Sequence, residues 1–182
     1  MNQQLQKLIH AHKNKQNLKI KNQIFLNEII KDEQLIIPYF EKSNFTNINF
    51  INIRFESSFF NQCSFENCKF DNISLRNAQF ESCNLINCNL INCNLRQVDF
   101  TRTTFDKCEF KKLENGSLLQ GWFESCHFIE TNFNDFDAIS LIQTALVDSK
   151  FTKFQKSIEF KGEFFLLDIL ESKNGIQEMF IE

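Results

Sequence analysis

Seven cysteines and three histidines are the residues of this chain whose chemistry would matter most if they converged. Cys63 and Cys68 stand five apart, and Cys83, Cys88 and Cys93 repeat that interval, while Cys108 and Cys126 stand singly. These are not the usual spacings of a zinc site. Cys126 is followed by His127, which would make a thiolate–imidazole nucleophile if both side chains faced one cleft. His10 and His12 lie two apart in a polar, lysine-rich stretch, and on a helix they would point in different directions, so they are read as exposed rather than as a metal pair. Asp99, Asp106 and Glu109 are spread without an implied cleft. There is neither a glycine-rich phosphate cradle nor a serine-centred elbow.

The direction in which each of these residues points depends on the element that carries it, and the cysteines themselves reveal that element. Cys83 to Leu95 spells one five-residue word, Cys-Asn-Leu-Ile-Asn, twice and begins it a third time. The frame continues on both sides. Taking the large apolar residue as the centre, centres fall at Phe45, Phe50, Phe55, Phe60, Phe65, Phe70, Leu75, Phe80, Leu85, Leu90, Leu95, Phe100, Phe105 and Phe110. The position two before each centre is small or compact: Ser43, Ile48, Ala78, Val98 and Thr103 share it with the cysteines. Two residues in five therefore face inward and three outward. Neither a 3.6-residue nor a 2-residue period sustains that pattern, so the chain must turn a corner every five residues. In this frame every cysteine is a small inward residue, and Cys126 points in while His127 points out. Reduced thiols are expected, although residues stacked one coil apart would fall within disulfide reach.

With these words, residues 43–154 resemble the pentapeptide-repeat family. The resemblance implies an all-β fold, a right-handed quadrilateral parallel β-helix with four words and twenty residues to the coil. One departure is the scarcity of Gly at the last position of the word, where Asn47, Asn52, Asn67, Asn72, Asn77, Asn87 and Asn92 stand. Asn is the next-best residue at positive φ, which keeps tight corners available. Residues twenty apart should then stack at the strand spacing of about 4.8 Å. Phe45, Phe65, Leu85 and Phe105 make one interior column, Phe50, Phe70, Leu90 and Phe110 a second, and Phe60, Phe80 and Phe100 a third. Asn52, Asn72 and Asn92 align outside as a hydrogen-bonding ladder.

Three segments are expected: an N-terminal extension and cap over 1–42, the β-helix over 43–154, and a C-terminal cap over 155–182. In residues 1–17, Leu5, Leu8 and Ile9 have helical spacing, which predicts a short frayed helix. Residues 18–42 keep the five-residue frame, but Gln23, Glu28, Glu33 and Pro38 two before the centres are too large or too charged for a tight interior. They are read as a cap, or at best a degenerate coil. The frame breaks near 111–117 and again near 134–138, with eight residues between Phe110 and Leu118 and eight between Phe133 and Leu141. Each break is read as three residues inserted at a corner. In the last segment the density of Phe164, Phe165, Leu166, Leu167, Ile169 and Leu170 predicts a short helix.

Breaks in a regular solenoid are where function tends to sit. Lys111, Lys112, Glu114 and Asn115 at the first break, and Asp135 and Asp137 at the second, are candidate partner-binding residues. Ile51, Ile86 and Ile91 join them, because they occupy an outward position that is otherwise polar. Phe164, Phe165, Leu167, Met179 and Phe180 are candidates for dimerisation through the C-terminus.

Net charge is −3, distributed as +3 over residues 1–42, −3 over 43–154 and −3 over 155–182. That excludes a basic nucleic-acid footprint. No apolar run reaches the length of a membrane span, and Met1-Asn2-Gln3-Gln4 lacks the order of a secretory signal, so a cytoplasmic protein is expected. No catalytic residue, metal or cofactor is implied. The leading reading is a rigid protein-binding rod. The resemblance offers a second: some family members are dimeric bacterial rods that mimic duplex DNA and occupy or protect gyrase and topoisomerase IV, as in quinolone-resistance and microcin-immunity proteins. The charge is thin for such a mimic, with Arg54, Arg76, Arg96 and Arg102 outward.

Overall fold

The structure is a computed structural model that describes residue 6 and residues 19–35, 38–111, 122–136, 139–142, 145–147, 150–154, 158–161, 165–167 and 179–181. From Lys19 to Lys111 the strands are three residues long, and the middle residue of each is buried between two outward neighbours. Three parallel sheets of nine, eight and seven strands result, with each strand paired to the one a coil away. Ile20, Phe40, Phe60, Phe80 and Phe100 follow one another up the first sheet. Phe25, Phe45, Phe65, Leu85 and Phe105 do so in the second, and Ile30, Phe50, Phe70, Leu90 and Phe110 in the third. A fourth side is held by the single bridges Gln34↔Arg54↔Ser74↔Asn94. This is the four-sided parallel β-helix that the words imply.

The corners explain the asparagines. Nineteen described non-glycine residues have φ between 47° and 58°, and nine of them are Asn. Asn reaches the left-handed region with less strain than other residues bearing a Cβ, because its short amide can bond locally. Only at the end of the fourth side does the corner close an i to i+3 hydrogen bond: Ser58 N–H to Phe55 O, Ala78 to Leu75 and Val98 to Leu95. With positive φ at Ser57, Asn77 and Gln97, these corners have the form of type II turns. At these corners and at the others the positive-φ residue also donates across coils, as Asn77 N–H does to Arg96 O at 3.1 Å and Asn47 N–H to Glu66 O at 2.9 Å.

The centres fill the bore. Phe45 lies parallel to Phe65 at 4.7 Å and Phe60 to Phe80 at 4.6 Å, while neighbours within a coil meet edge to face, as Phe50 and Phe55 do at 5.6 Å. Both are arrangements that the ring quadrupole favours, and each buried ring adds about 1.5–3 kcal/mol of apolar burial. One flat residue thus serves both the vertical and the lateral contact, which accounts for the fifteen buried Phe among the described centres.

Three expectations change and one holds. The β-helix begins earlier than residue 43: Lys19–Lys21, Ile24–Leu26 and Ile29–Lys31 pair in register with the coil above them, so residues 19–35 form a coil rather than a cap. Gln23, Glu28 and Glu33 are tolerated because they are only half-buried in this end coil. The first break does add three residues, since Asp99 pairs with Trp122 and Phe105 with Phe128. The second break removes two. Phe123 pairs with Leu141 and Phe133 with Phe151, eighteen residues apart, so Leu141 re-enters the first sheet directly. The third-sheet strand lengthens there to Asn132–Phe136 and Phe136 pairs with Phe154, which leaves fewer residues for the fourth side. Finally, the described residues of 155–182 are strand where a helix was expected. Ile158–Lys161, Phe165–Leu167 and Met179–Ile181 extend the first and second sheets, because the coil beneath offers each a paired edge in register. Of residues 1–17 only Gln6 is described, and it is helical. No described helix is long and apolar enough to cross a membrane.

Candidate binding faces

The cysteines form no reactive site. All seven are buried and none is in a disulfide, and each lies at the small inward position. Six of the Sγ–H groups donate to the carbonyl of a centre in the coil below, as Cys68 does to Phe45 O at 3.3 Å, Cys88 to Phe65 O at 3.4 Å and Cys108 to Leu85 O at 3.3 Å, while Cys63 donates to Asn61 O at 3.5 Å. Thr103 makes the same bond to Phe80 O at 3.2 Å and Thr131 to Phe105 O at 3.1 Å. Where position two before the centre is Cys, Ser or Thr it thus adds a donor to its compact volume, while Ile48, Ile53, Ile73, Ala78 and Val98 fill the same slot without one. Stacked thiols and burial oppose ionisation at four of them, whereas hydrogen bonding with Cys83 lowers Cys63. Hydrogen bonding with Cys108 pushes Cys88 up to about 12, and burial pushes Cys126 up to about 12. Hydrogen bonding with Cys88 raises Cys68, and hydrogen bonding with Cys63 raises Cys83. A nucleophile or a metal ligand has to be a thiolate. Cys126 is buried and His127 exposed, so they do not converge. Among the described residues no three His, Cys, Asp or Glu gather as a metal site.

Interest therefore moves to the outside. Ile51 and Ile91 do share a column, but Asp71 lies between them and Lys111 follows Ile91. Ile86 is flanked by Glu66 and Asp106. All three isoleucines are half-buried, so they are separate aliphatic spacers between charges rather than one patch. Lys111 ends a third-sheet strand, with its Nζ 3.5 Å from Glu109 Oε1. Lys112, Glu114, Asn115, Asp137 and Phe164 lie outside the described residues. Asp135 falls in the strand Asn132–Phe136. Phe165 and Leu167 pair with Ala145 and Val147, and Met179 and Phe180 with Ile158 and Glu159.

The structure adds features that the sequence reading did not select. On the first sheet, Tyr39 and Phe59 stack outside the bore at 5.0 Å, with Lys19 Nζ 3.7 Å from the Tyr39 ring centroid. Beside them Glu41 accepts from Lys21 at 3.0 Å and Lys19 at 3.1 Å, and these bonds hold its carboxyl down at about 2. The only large hydrophobic side chains that stand well exposed among the described residues are Ile24 at 60%, Leu26 at 52% and Ile29 at 63%. All three belong to the first coil, whose large or charged inward residues Gln23, Glu28 and Glu33 disguise it as a cap in the sequence.

A concave feature lies where the third sheet turns into the fourth side: a shallow groove of about 290 Å³. Its corner is the column Asn52, Asn72 and Asn92, and its wall is formed by Arg54, Glu56, Ser74 and Asn94. Asn72 donates to Asn52 at 2.8 Å and Asn52 to Asp32 at 2.9 Å. Within the groove, Arg54 grips Glu56 through two nitrogens, and Ser74 Oγ donates to Glu56 at 3.0 Å. On the far edge of the same side Arg76 and Arg96 are exposed one coil apart, with Asn77 N–H bonded to Arg96 O at 3.1 Å. Neither guanidinium has an ion pair among the described residues. Elsewhere acids and bases interleave, as in the pair of Arg102 with Glu81 and that of Lys69 with Asp71 at 2.8 Å.

Two family models described as pentapeptide repeats match the chain, one with nine copies over residues 40–89 and one with eight over residues 73–111. A comparison with curated proteins found no match. Among solved structures, a trypsin-treated form of QnrB1, a plasmid-mediated fluoroquinolone resistance protein, is similar at 18% identity and a TM-score of 0.54, over 80% of this chain and 71% of that one. HetL, a pentapeptide repeat protein involved in heterocyst differentiation regulation from the cyanobacterium Nostoc, aligns at 13% identity and a TM-score of 0.29, over 86% of this chain and 91% of that one. At these identities the likeness is one of fold.

Proposed function

This chain is a pentapeptide-repeat protein, and from that premise we propose that it is a non-enzymatic rod that holds a protein partner in the cytoplasm, gripping it along the fourth side. The observation that carries this reading is the pairing of the amide-lined groove with Arg76 and Arg96. The two guanidiniums stand a coil apart with no ion pair among the described residues, the Glu56 one coil below Arg76 being taken up by Arg54 and Ser74, so a partner carboxylate can bridge them. The Asn columns offer donors and acceptors at the fixed pitch of the coils, which suits an extended peptide edge. A groove of about 290 Å³ is at the small end of ligand pockets and open along its length, so it fits a surface contact better than an enclosed substrate. A photo-crosslinking residue placed at Asn94 tests this in cells, with the same residue at Asn84 on the second sheet as control. One protein recovered at 94 and not at 84 supports the fourth side; equal recovery at both, or recovery at 84 alone, opposes it.

A topoisomerase partner is the second reading. The fold likeness to a fluoroquinolone resistance protein favours it. The interleaved charges and the basic fourth side weigh against duplex mimicry, which needs a continuous acidic stripe. Gyrase supercoiling with and without a fluoroquinolone decides: neither protection nor inhibition at micromolar chain removes this reading. Dimerisation through the C-terminus belongs to the same proposal. Light scattering of the intact chain should give a dimer, and of a chain lacking residues 164–182 a monomer.

A further inference from the structure

We propose that the third sheet is an interface between two copies of this chain, which meet face to face with their rods antiparallel. The outer residues of this sheet form rows, one residue on each side of a buried centre. Its three middle rows are Lys69 and Asp71, then Asn89 and Ile91, then Glu109 and Lys111. The two charged rows lie about 9.6 Å apart, two strand spacings, and carry opposite polarity. Each closes on itself, Lys69 on Asp71 at 2.8 Å and Lys111 on Glu109 at 3.5 Å, so these rows have no net charge. Asn89 is exposed and the other five are half-buried, so all six reach solvent.

Reversed polarity makes the face complementary to itself. A twofold axis along the strands, through the row of Leu90, sets Lys69 against the partner's Glu109 and Asp71 against the partner's Lys111. Asn89 and Ile91 each meet their own copy, amide on amide and aliphatic on aliphatic. One row further out, Asn49 meets the partner's Asn132. With the axis along the rods the charges would still match, but Ile91 would fall against the partner's Asn89, so the antiparallel arrangement fits better. The other two sheets fail the same operation. Centred on Leu85, the second sheet sets Glu66 against the partner's Asp106. Centred on Phe100, the first sets Glu81 against the partner's Glu124. Opposed like charges disfavour both pairings. A face one strand wide is small for an obligate dimer, so the association is weak and salt-sensitive. It is independent of the fourth-side reading and of a C-terminal dimer, neither of which brings two third sheets together.

The test is crosslinking of the full chain carrying Ile91→Cys with a short bismaleimide at high protein concentration. A covalent dimer should form at 91 and not at the control Asn84→Cys on the second sheet. Adding Lys69→Glu or Glu109→Lys to Ile91→Cys should each cut the yield at least about fivefold, since like charges then face each other twice per dimer. An equimolar mixture of the two charge variants should restore it, because each altered residue then meets its complement. Recovery in the mixture also shows that both variants are folded. Absence of a dimer at 91, equal yields at 91 and 84, or yields indifferent to charge reversal would overturn the proposal. Loss with both variants and no recovery in the mixture would also overturn it, since that is the result expected of parallel rods.

Discussion

Phe110 and Phe133 stack with ring centroids 4.6 Å apart and planes 9° from parallel, although 23 residues separate them. Phe45 and Phe65, 20 residues apart, stack no better, at 4.7 Å and 5°. The three residues added at the first break leave the stack unchanged, and the interior columns set the register. Removing a ring from the middle of a column should cost more than any change outside it. Phe65→Ala is expected to lose about 3–5 kcal/mol, the usual range for a buried Phe that leaves a cavity. Urea denaturation measures it, and a loss below about 1 kcal/mol would mean that the columns are not the main support.

At the corners the backbone selects the residue. Asn72 sits at φ 57° and donates to Asn52. Asn72→Val should destabilise the fold by about 1–2 kcal/mol, since a β-branched residue is strained in the left-handed region. Asn72→Gly should stay within a few tenths of a kcal/mol of the parent, because Gly relieves the backbone while the ladder bond is lost. Thermal denaturation of both variants distinguishes backbone strain from the ladder as the reason for Asn.

The thiols should be silent in the folded chain. A chromogenic disulfide such as dithionitrobenzoate at pH 8 should leave all seven unreacted, and all seven should react once guanidinium unfolds the chain. Raising the pH to 9 should add little, because all seven are buried and Cys88 and Cys126 are pushed up to about 12; any early reaction should fall on Cys63, which Cys83 lowers. Rapid labelling of native protein would show that a thiol reaches solvent.

Glu41 gives the stability a pH dependence. Its carboxyl is held at about 2 by Lys21 and Lys19, below the value of about 4.3 expected in the unfolded chain. A depressed folded pKa contributes stability above the unfolded value and loses it as pH falls towards 2. Glu41→Gln should therefore be less stable than the parent at pH 7, with the two converging near pH 2. Added salt should narrow the gap at pH 7, since the cluster is partly solvated. A gap that widens on acidification would contradict the assignment.

The sequence carried the coil more fully than the ends or the outside. Two inward positions in five, filled by Phe or Leu and by Cys, Ser, Thr or Ala, allow only a chain that turns at each word, so the bore and its columns were legible from Phe45 onward. Gln23, Glu28 and Glu33 hid the first coil, because an end coil relaxes the demand for small inward residues. The eight residues from Phe133 to Leu141 read equally as one word with three added or as two words with two missing, and only strand pairing separates these. Phe165 to Leu167 is dense enough in apolar residues for a helix, yet the paired edge beneath it outweighs local propensity. The groove escaped notice because its Asn, Ser and Arg residues are unremarkable one at a time, and become a surface only when stacked at the pitch of the coil.

The fourth side is the centre of this account, and its arginines offer the most direct measurement. The protein captured at position 94 should be purified and its affinity measured for the parent chain and for the double variant Arg76→Glu, Arg96→Glu. Both side chains are exposed, so the melting curve should stay the same. Affinity should fall at least about tenfold, as expected when arginine anchors are reversed in charge. Unchanged affinity in a variant that melts with the parent would contradict binding through this face.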